Sequence, residues 1–125
     1  MKVIDAGVVI DLLVGKLQPE CLGDEELAAP HLIDSEVTNV LRRLVRIRAL
    51  SEDEGAIALE GFMSLVIQRF PADWLCPRIW ELKENLSAYD ATYVALTEMI
   101  DATALLTTDA RLASAPGLTC RVEVV

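Results

Sequence analysis

Cysteine and histidine are scarce in this chain, and their scarcity excludes several kinds of site. Cys21, Cys76 and Cys120 are odd in number, widely separated and without a C-x-x-C pair, so a disulfide framework is not expected. His31 is the only histidine and has no cysteine close to it in the sequence, which argues against a zinc site. We therefore interpret these four residues as structural or surface residues of a protein from a reducing compartment.

Long apolar runs are also missing. No segment approaches the roughly 18 consecutive apolar residues that a membrane-spanning helix requires. The chain opens directly on the strand-like residues Val3 and Ile4, without the basic and apolar segments of a secretion signal. We expect a cytoplasmic protein that does not enter a membrane.

Positive charge is in short supply, with 11 lysines and arginines against 20 acidic residues and a net charge of −9. A typical nucleic-acid-binding protein is basic, so simple electrostatic attraction to nucleic acid is not expected. Bound divalent ions would cancel up to about four of the negative charges at a site. The bases are also uneven, because four of them form one potential positive patch: Arg42, Arg43, Arg46 and Arg48.

Apolar residues make up 53% of the 125 residues, which fits one domain over residues 1–125 with a well-filled core. Such a fraction beside 25% charged residues also leaves apolar side chains for a surface. Exposed apolar patches commonly mark interfaces, so we expect a homodimer or a complex with another protein.

Strand and helix patterns alternate along the chain. Strands are predicted at 2–5, 25–29 (stopped by Pro30), 67–70, 103–107 and 120–125, and helices at 8–14, 33–50, 51–66, 73–84, 87–101 and 110–114. The clearest helix carries one apolar stripe made of Ile33, Val37, Val40, Leu41, Leu44 and Ile47. Alternation of this kind predicts an α/β fold, in which helices cover both faces of a central parallel sheet of four or five strands.

Four short acidic motifs stand where strands end or helices begin: Lys2-Val-Ile-Asp5, Asp34-Ser-Glu36, Ser87-Ala-Tyr-Asp90 and Leu105-Leu-Thr-Thr-Asp109. In a parallel sheet these positions share one edge, over the ligand crevice. Four carboxylates cannot share a small pocket as bare anions, because like charges at close range disfavour ionisation. A divalent cation resolves the conflict, and ligation by oxygen alone indicates Mg²⁺ or Mn²⁺.

Each acid also has a structural explanation. Asp5 and Asp109 can cap the helices that follow them, and Asp34 can cap the helix that holds Glu36. Ser87 and Asp90 resemble a capping box. Taken singly, these acids favour capping over catalysis, but four acids at one edge exceed what capping requires.

The sequence around the four acids resembles the signature blocks of PIN-domain nucleases, and above all those of the VapC toxins of toxin–antitoxin pairs. The blocks cover essentially the whole chain in the right order: Val3-Ile-Asp5-Ala-Gly-Val-Val-Ile-Asp-Leu-Leu, Glu36-Val-Thr-Asn-Val-Leu-Arg-Arg, Ser87-Ala-Tyr-Asp90-Ala-Thr-Tyr-Val-Ala-Leu and Leu105-Leu-Thr-Thr-Asp109-Ala-Arg-Leu-Ala. The resemblance implies a PIN-like three-layer sandwich. It also implies a Mg²⁺- or Mn²⁺-dependent endoribonuclease that is held inactive by a cognate antitoxin and is often dimeric.

In this interpretation Asp5, Glu36 and Asp90 bind the metal, and Asp109 completes the cage or helps a second ion. Two ions about 3.5–4 Å apart would activate a water and stabilise the leaving oxygen. Thr107 matches a hydroxyl position that is usual in the family. Gly7 departs from it, because a small hydroxyl residue commonly stands two places after the first acid.

Other side chains near the acids are candidates for substrate contact. Asn39 and Arg43 follow Glu36 by three and seven residues, so all three share a helix face. Asn39 can orient Glu36 or touch phosphate, and Arg43 can contact RNA or an antitoxin carboxylate. Tyr89 and Tyr93 flank Asp90, where base stacking and core packing are both open interpretations.

Two other functions would require residues that this sequence lacks. A response-regulator receiver would need a lysine late in the chain, and none follows Lys83. An aspartate-nucleophile phosphatase would want Asp-x-Asp after the first strand, where this chain has Asp5-Ala-Gly7. A non-catalytic binding module and a DNA-directed nuclease stay open as alternatives.

Overall fold

The computed structural model describes residues 1–125, and its centre is a five-stranded parallel sheet. The strands are β1 (Lys2–Ile4), β2 (Leu27–Pro30), β3 (Ile67–Phe70), β4 (Leu105–Thr107) and β5 (Val122–Val124). They lie in the order β3-β2-β1-β4-β5, and every neighbouring pair is parallel. The predicted α/β fold with a parallel sheet is confirmed.

Two groups of helices cover this sheet. The helices are α1 (Ala6–Leu13), α2 (Leu32–Arg46), α3 (Glu52–Ser64), α4 (Cys76–Glu81), α5 (Ala88–Met99) and α6 (Ala110–Ala113), with 3₁₀ turns at Pro19–Leu22 and Asp73–Leu75. Helices α1, α2 and α3 contact one another, and α4 contacts α5. In the strand order, the chain moves one way from β1 through β2 to β3 and the other way from β3 through β4 to β5. Right-handed crossovers therefore place the two groups on opposite faces.

The core lies between these layers. Val3, Ile4, Leu105 and Leu106 are fully buried, as expected for central strands that helices cover on both sides. Every residue of α5 from Ala91–Thr97 is buried, because this helix contacts β1, β2 and β4 across the middle of the sheet. None of the helices is both long enough and apolar enough to cross a bilayer.

Helix α2 ends earlier than its apolar pattern predicts. The chain leaves the helix at Ile47, and Arg48 adopts a left-handed conformation with φ 63°. The Ala49 N–H then donates to the Leu44 carbonyl at 2.9 Å, which closes a Schellman-type end. Ile47 is consequently 65% exposed and does not extend the buried stripe. The left-handed backbone at Arg48 thus ends the helix before residue 50, the predicted end, and the Arg48 side chain is exposed.

Two further boundaries differ from the prediction. Residues 73–84 do not form one helix, because a 3₁₀ turn leads into the short α4, which starts anew with Pro77 in its first turn. Pro30 does not stop β2 but is its last residue. The next backbone N–H, that of His31, donates to the Phe70 carbonyl at 3.0 Å and so continues the pairing with β3.

Candidate active site

The ends of β1 and β4 bring two of the predicted acids to one edge of the sheet. Asp5 follows β1 directly, and Asp109 lies two residues after β4. The two strands are neighbours, with Ile4 paired to Leu106. The direction of the strand order reverses between them, and in open α/β sheets ligands bind in the crevice at such a reversal.

Asp5 caps a helix and also has a raised pKa. Its Oδ1 accepts a hydrogen bond from the Val8 N–H at 2.9 Å, so the capping interpretation is correct as far as this oxygen goes. Burial raises the pKa of Asp5, and the negative charges of Asp90 and Glu36 raise it further. The Thr107 hydroxyl and the Val8 N–H offset part of that rise. The raised pKa of Asp5 therefore reflects burial first and the like charges of Asp90 and Glu36 second.

Glu36, on α2, is held by a tyrosine from the opposite layer. The Tyr93 hydroxyl, on α5, donates to Glu36 Oε1 at 2.6 Å, and Tyr93 is buried. Burial first, and then the bond to Glu36 and the charges of Glu36, Asp5 and Asp34, raise the pKa of Tyr93 far above its ordinary value. Tyr93 therefore remains a protonated donor. Its position on the Asp90 helix face, three residues further on, is the sequence signal that points to this role.

Asp34 is not the cap of α2, contrary to the prediction. The residue at the N-cap is His31, which makes no side-chain capping bond. Asp34 instead pairs with Arg69, at 2.8 Å between Oδ1 and the guanidinium, and Arg69 also donates to the Ile67 carbonyl at 2.8 Å. Arg69 lies near the carboxyl end of β3. Because the carboxyl ends of parallel strands share one edge of the sheet, its position in the sequence indicates that it lies at the same edge as the acids. This pair neutralises one acid beside Glu36.

Asp90 keeps its carboxylate unengaged. Ser87 caps α5, and its Oγ accepts from the Asp90 N–H at 3.1 Å. The return bond that completes a capping box is absent here, whereas Ser51 and Glu54 form both bonds at the start of α3. The capping interpretation of this motif is therefore half correct, and the exposed Asp90 carboxylate faces solvent.

Asp109 caps α6 and pairs with an arginine that the sequence analysis did not single out. Its Oδ1 accepts from the Arg111 N–H at 2.9 Å, and the guanidinium lies 3.4 Å away. The hydrogen bonds from Arg111 lower the pKa of Asp109. The Thr107 hydroxyl accepts from the Asp109 N–H at 3.0 Å, which gives this predicted supporting residue a definite contact.

The acids form two overlapping groups. Asp5, Glu36 and Asp90 are close enough for Glu36 and Asp90 to raise the pKa of Asp5. Asp90 and Asp109 line a shallow cavity of about 270 Å³ in the same region, whose other walls are Asn85, Leu86, Arg111 and Leu112. In this structure no three acidic, histidine or cysteine side chains lie close enough together to hold one metal ion.

The donor set nevertheless fits a hard cation. Asp5, Glu36 and Asp90 offer only oxygen atoms, and none of them forms an ion pair with a lysine or arginine. Oxygen ligands are those that Mg²⁺ and Mn²⁺ prefer. Glu36 and Asp90 also leave oxygens without a protein donor, so the chemistry of the site suits a divalent ion.

The arginines of helix α2 lie on two different surfaces. Asn39 and Arg43 are exposed, lie on the Glu36 face and make no side-chain hydrogen bond within the chain. Arg42 and Arg46 instead border a groove between α2 and α3 of about 340 Å³. The groove, called here the α2–α3 groove, is lined by Thr38, Leu41, Arg42, Val45, Arg46, Glu52, Gly55, Ala56 and Leu59.

Comparison with known sequences finds relatives along the whole chain, although no model of a protein family matches it. The chain is 40% identical over 126 residues to ribonuclease VapC9 of Mycobacterium tuberculosis, covering 100% of this chain and 98% of the relative. It is also 40% identical over 129 residues to ribonuclease VapC1 of the same organism, covering 98% of this chain and 96% of the relative.

Solved structures share the fold at lower identity. PAE2754 from Pyrobaculum aerophilum superposes with a TM-score of 0.74 at 21% identity, covering 98% of this chain and 83% of its own. VapC20 of Mycobacterium tuberculosis, described as a sarcin-ricin loop cleaving toxin, gives 0.68 at 14% identity, covering 95% and 97%. A chain of a toxin–antitoxin complex from Klebsiella pneumoniae gives 0.67 at 19% identity, covering 99% and 97%.

Proposed function

The chain belongs to the VapC family of ribonucleases, and we propose that it cleaves RNA at the acidic edge of its sheet as the toxin of a toxin–antitoxin pair. One observation carries the assignment of the site. Asp5, Glu36 and Asp90 converge without a basic partner, and the pKa of Asp5 is raised by burial and by the other two charges. Such convergence is typical of a functional site rather than of three helix caps. We propose further that residues 1–125 act as one domain in the cytoplasm.

The proposed reaction is hydrolysis of a phosphodiester bond. A water attacks phosphorus, the bond to the leaving oxygen breaks, and that oxygen takes up a proton. Mg²⁺ or Mn²⁺ held by Asp5, Glu36 and Asp90, with Asp109 as the fourth acid, would favour deprotonation of the water and stabilise the charge that develops on phosphate. Neither histidine nor lysine is needed as a base.

The remaining side chains position these acids. Tyr93 fixes one oxygen of Glu36, and Ser87 caps α5 in a way that leaves the Asp90 carboxylate open. Thr107 accepts from the Asp109 N–H and so sets the start of α6. Asn39 lies on the same exposed face as Glu36, where it can contact phosphate.

Removal of divalent cations tests this proposal. Purified protein is expected to cut RNA with Mg²⁺ or Mn²⁺ and to stop in excess EDTA, since without the cation nothing activates the attacking water or stabilises the leaving oxygen. The measurement is loss of full-length RNA on a denaturing gel, with a DNA strand of the same sequence run beside it. Equal cleavage with and without the chelator contradicts the role of the metal, and cleavage of DNA alone favours the DNA-directed alternative.

Arg43 is proposed to contact RNA, because it lies on the Glu36 face of α2 and forms no ion pair. Arg43→Ala is expected to weaken RNA binding and to lower the slope of log affinity against log salt by about one phosphate contact. RNA binding is measured in EDTA, so that no cleavage occurs. Arg42→Ala removes the same charge one residue away, but from the α2–α3 groove, and should leave the salt slope unchanged. Identical slopes for both variants contradict a contact by Arg43.

The α2–α3 groove is proposed as the surface that the antitoxin covers. Its lining combines apolar side chains, among them Leu41, Val45 and Leu59, with Arg42 and Arg46. Apolar and acidic side chains of a partner segment match such a surface. The Arg42→Ala variant therefore serves a second purpose, because we expect it to weaken the antitoxin complex.

A homodimer is proposed through the surface around α4. Trp80 is 69% exposed there and lies beside Ile79 and Leu86 in a shallow apolar cavity. Aromatic side chains with this exposure commonly anchor interfaces. Trp80→Glu is expected to convert a dimer into a monomer in light scattering, whereas Met63→Glu, at 74% exposure on α3, should not. A wild-type protein that is monomeric at micromolar concentrations contradicts the dimer itself.

A further inference from the structure

The first turn of α1 and the loop after β4 approach each other unusually closely. A Cβ atom added at Gly7 would lie 2.6 Å from Thr108 Oγ1 and 3.5 Å from Asp5 Oδ1. Gly7 does not have a positive φ, unlike Gly15, Gly23 and Gly117, so its backbone conformation suits any residue. Space, and not conformation, limits this position, because a side chain at residue 7 fits only if the Thr108 hydroxyl shifts. The space is taken by the hydroxyl of Thr108.

That hydroxyl is in a position to meet a substrate. Thr107 is fully buried and its Oγ1 accepts from the Asp109 N–H, whereas Thr108 is exposed and makes no side-chain hydrogen bond within the chain. Thr108 Oγ1 and Asp5 Oδ1 both lie within 3.5 Å of one point, the place of the missing Cβ. An uncommitted hydroxyl therefore stands beside the acid with the raised pKa.

A neutral donor at this place answers a chemical need of the site. The acids repel a phosphate, and a hydroxyl can donate to a phosphate oxygen without cancelling the charges that would hold a cation. Arg111, three residues after Thr108, is paired with Asp109. On the basis of the proposed ribonuclease function, we propose that Thr108 donates a hydrogen bond to the RNA phosphate beside Asp5, and that Gly7 is the residue that admits it.

The coupling of the two positions gives a test that needs neither RNA nor metal. Serine favours a helix more than glycine does, so Gly7→Ser alone should raise the melting temperature unless the site is filled. With Thr108 present, we expect Gly7→Ser to lower Tm by about 5 °C through overpacking. In the Thr108→Ala background the same change should raise Tm or leave it unchanged. A Gly7→Ser shift of the same sign and size in both backgrounds overturns the coupling.

The substrate contact is measured with the same variants. Thr108→Ala should weaken binding of a short RNA with a non-hydrolysable linkage in Mg²⁺ by about 5- to 10-fold and slow cleavage of the ordinary RNA to a similar degree, since a hydrogen bond to a charged group is lost. Thr108→Ser keeps the hydroxyl and should match the wild type. The double variant Gly7→Ser/Thr108→Ala places a hydroxyl at nearly the same point and should recover most of the loss.

Equal binding and cleavage by Thr108→Ala, Thr108→Ser and the wild type overturn the substrate contact while leaving the ribonuclease function intact. A wild type that neither binds nor cuts RNA overturns the proposed function, and the substrate contact with it. In that case the temperature shifts still decide whether Gly7 and Thr108 are coupled, because they are measured on the metal-free protein alone.

Discussion

Asp5→Asn should reduce RNA cleavage by more than about 100-fold and leave the fold intact. Loss of groups that merely orient metal ligands costs about 10- to 100-fold, so loss of a ligand charge should cost more. Asparagine caps a helix as well as aspartate does, so the bond from the Val8 N–H is kept. Cleavage rate and melting temperature, measured on the same preparation, separate the two roles of this side chain.

Asp5→Asn should also change the pH dependence of stability. The folded pKa of Asp5 is raised, so the stability it contributes is present below its unfolded pKa and is lost as pH rises through the folded value. At neutral pH without metal, Asp5→Asn should therefore be at least as stable as the wild type. Added Mg²⁺ or Mn²⁺ should raise the Tm of the wild type and not that of the variant.

Two control variants sharpen the comparison. Asp24→Asn removes the same charge from an exposed turn away from the site and should leave cleavage unchanged. Asp5→Ala removes the cap as well as the charge. It should lose cleavage activity and be about 1 kcal/mol less stable than Asp5→Asn. Cleavage by Asp5→Asn at the wild-type rate would reduce Asp5 to a cap, and the proposed site would have to be abandoned.

Tyr93→Phe should lower cleavage by about 10- to 100-fold, the range for a group that orients a metal ligand. The change removes only the hydroxyl that donates to Glu36 at 2.6 Å, and the buried ring is kept. Because Glu36 loses its fixed orientation, the concentration of Mg²⁺ or Mn²⁺ for half-maximal rate should rise. A role in core packing alone would leave that concentration unchanged.

Tyr89→Phe is the matched control, since Tyr89 is 63% exposed on the same helix. Titration by ultraviolet absorbance gives an independent reading, because the chain has only two tyrosines. In the Tyr89→Phe variant the only tyrosine is Tyr93, whose raised pKa predicts that it keeps its proton at pH 10 in the folded protein and ionises there after unfolding. Stability should accordingly fall as pH rises above about 10. Ionisation of Tyr93 near pH 10 in the native state contradicts the buried donor.

Much of this arrangement follows from local sequence. The strand ends before Asp5 and Asp109 are predictable, because short apolar runs stop at a residue that caps the next helix. The buried stripe of α2 is predictable from the spacing of Ile33, Val37 and Leu41. Its end at Arg46 is not, because arginine and not glycine occupies the left-handed position at residue 48.

The contacts that complete the site join distant parts of the chain. Tyr93 and Glu36 are 57 residues apart, and Arg69 and Asp34 are 35 apart. Periodicity assigns each residue to a helix or strand face but does not fix how one element is placed over another. Gly7 shows what the sequence alone does not reveal. In the sequence it is only a residue without a hydroxyl, whereas in the fold its missing side chain leaves space that the Thr108 hydroxyl occupies.

Asp5 and Asp109 use a single oxygen each to begin a helix, so under the proposed function the same codons serve both folding and cleavage. Because of this dual use, few substitutions at these codons abolish toxicity without also destabilising the protein. Most replacements at these codons remove the cap too and yield a less stable product that proteases clear. Replacement by asparagine is a single-nucleotide transition that spares the cap. Inactive alleles that still bind the antitoxin, and so act as decoys for it, should carry asparagine at these codons more often than alanine or valine.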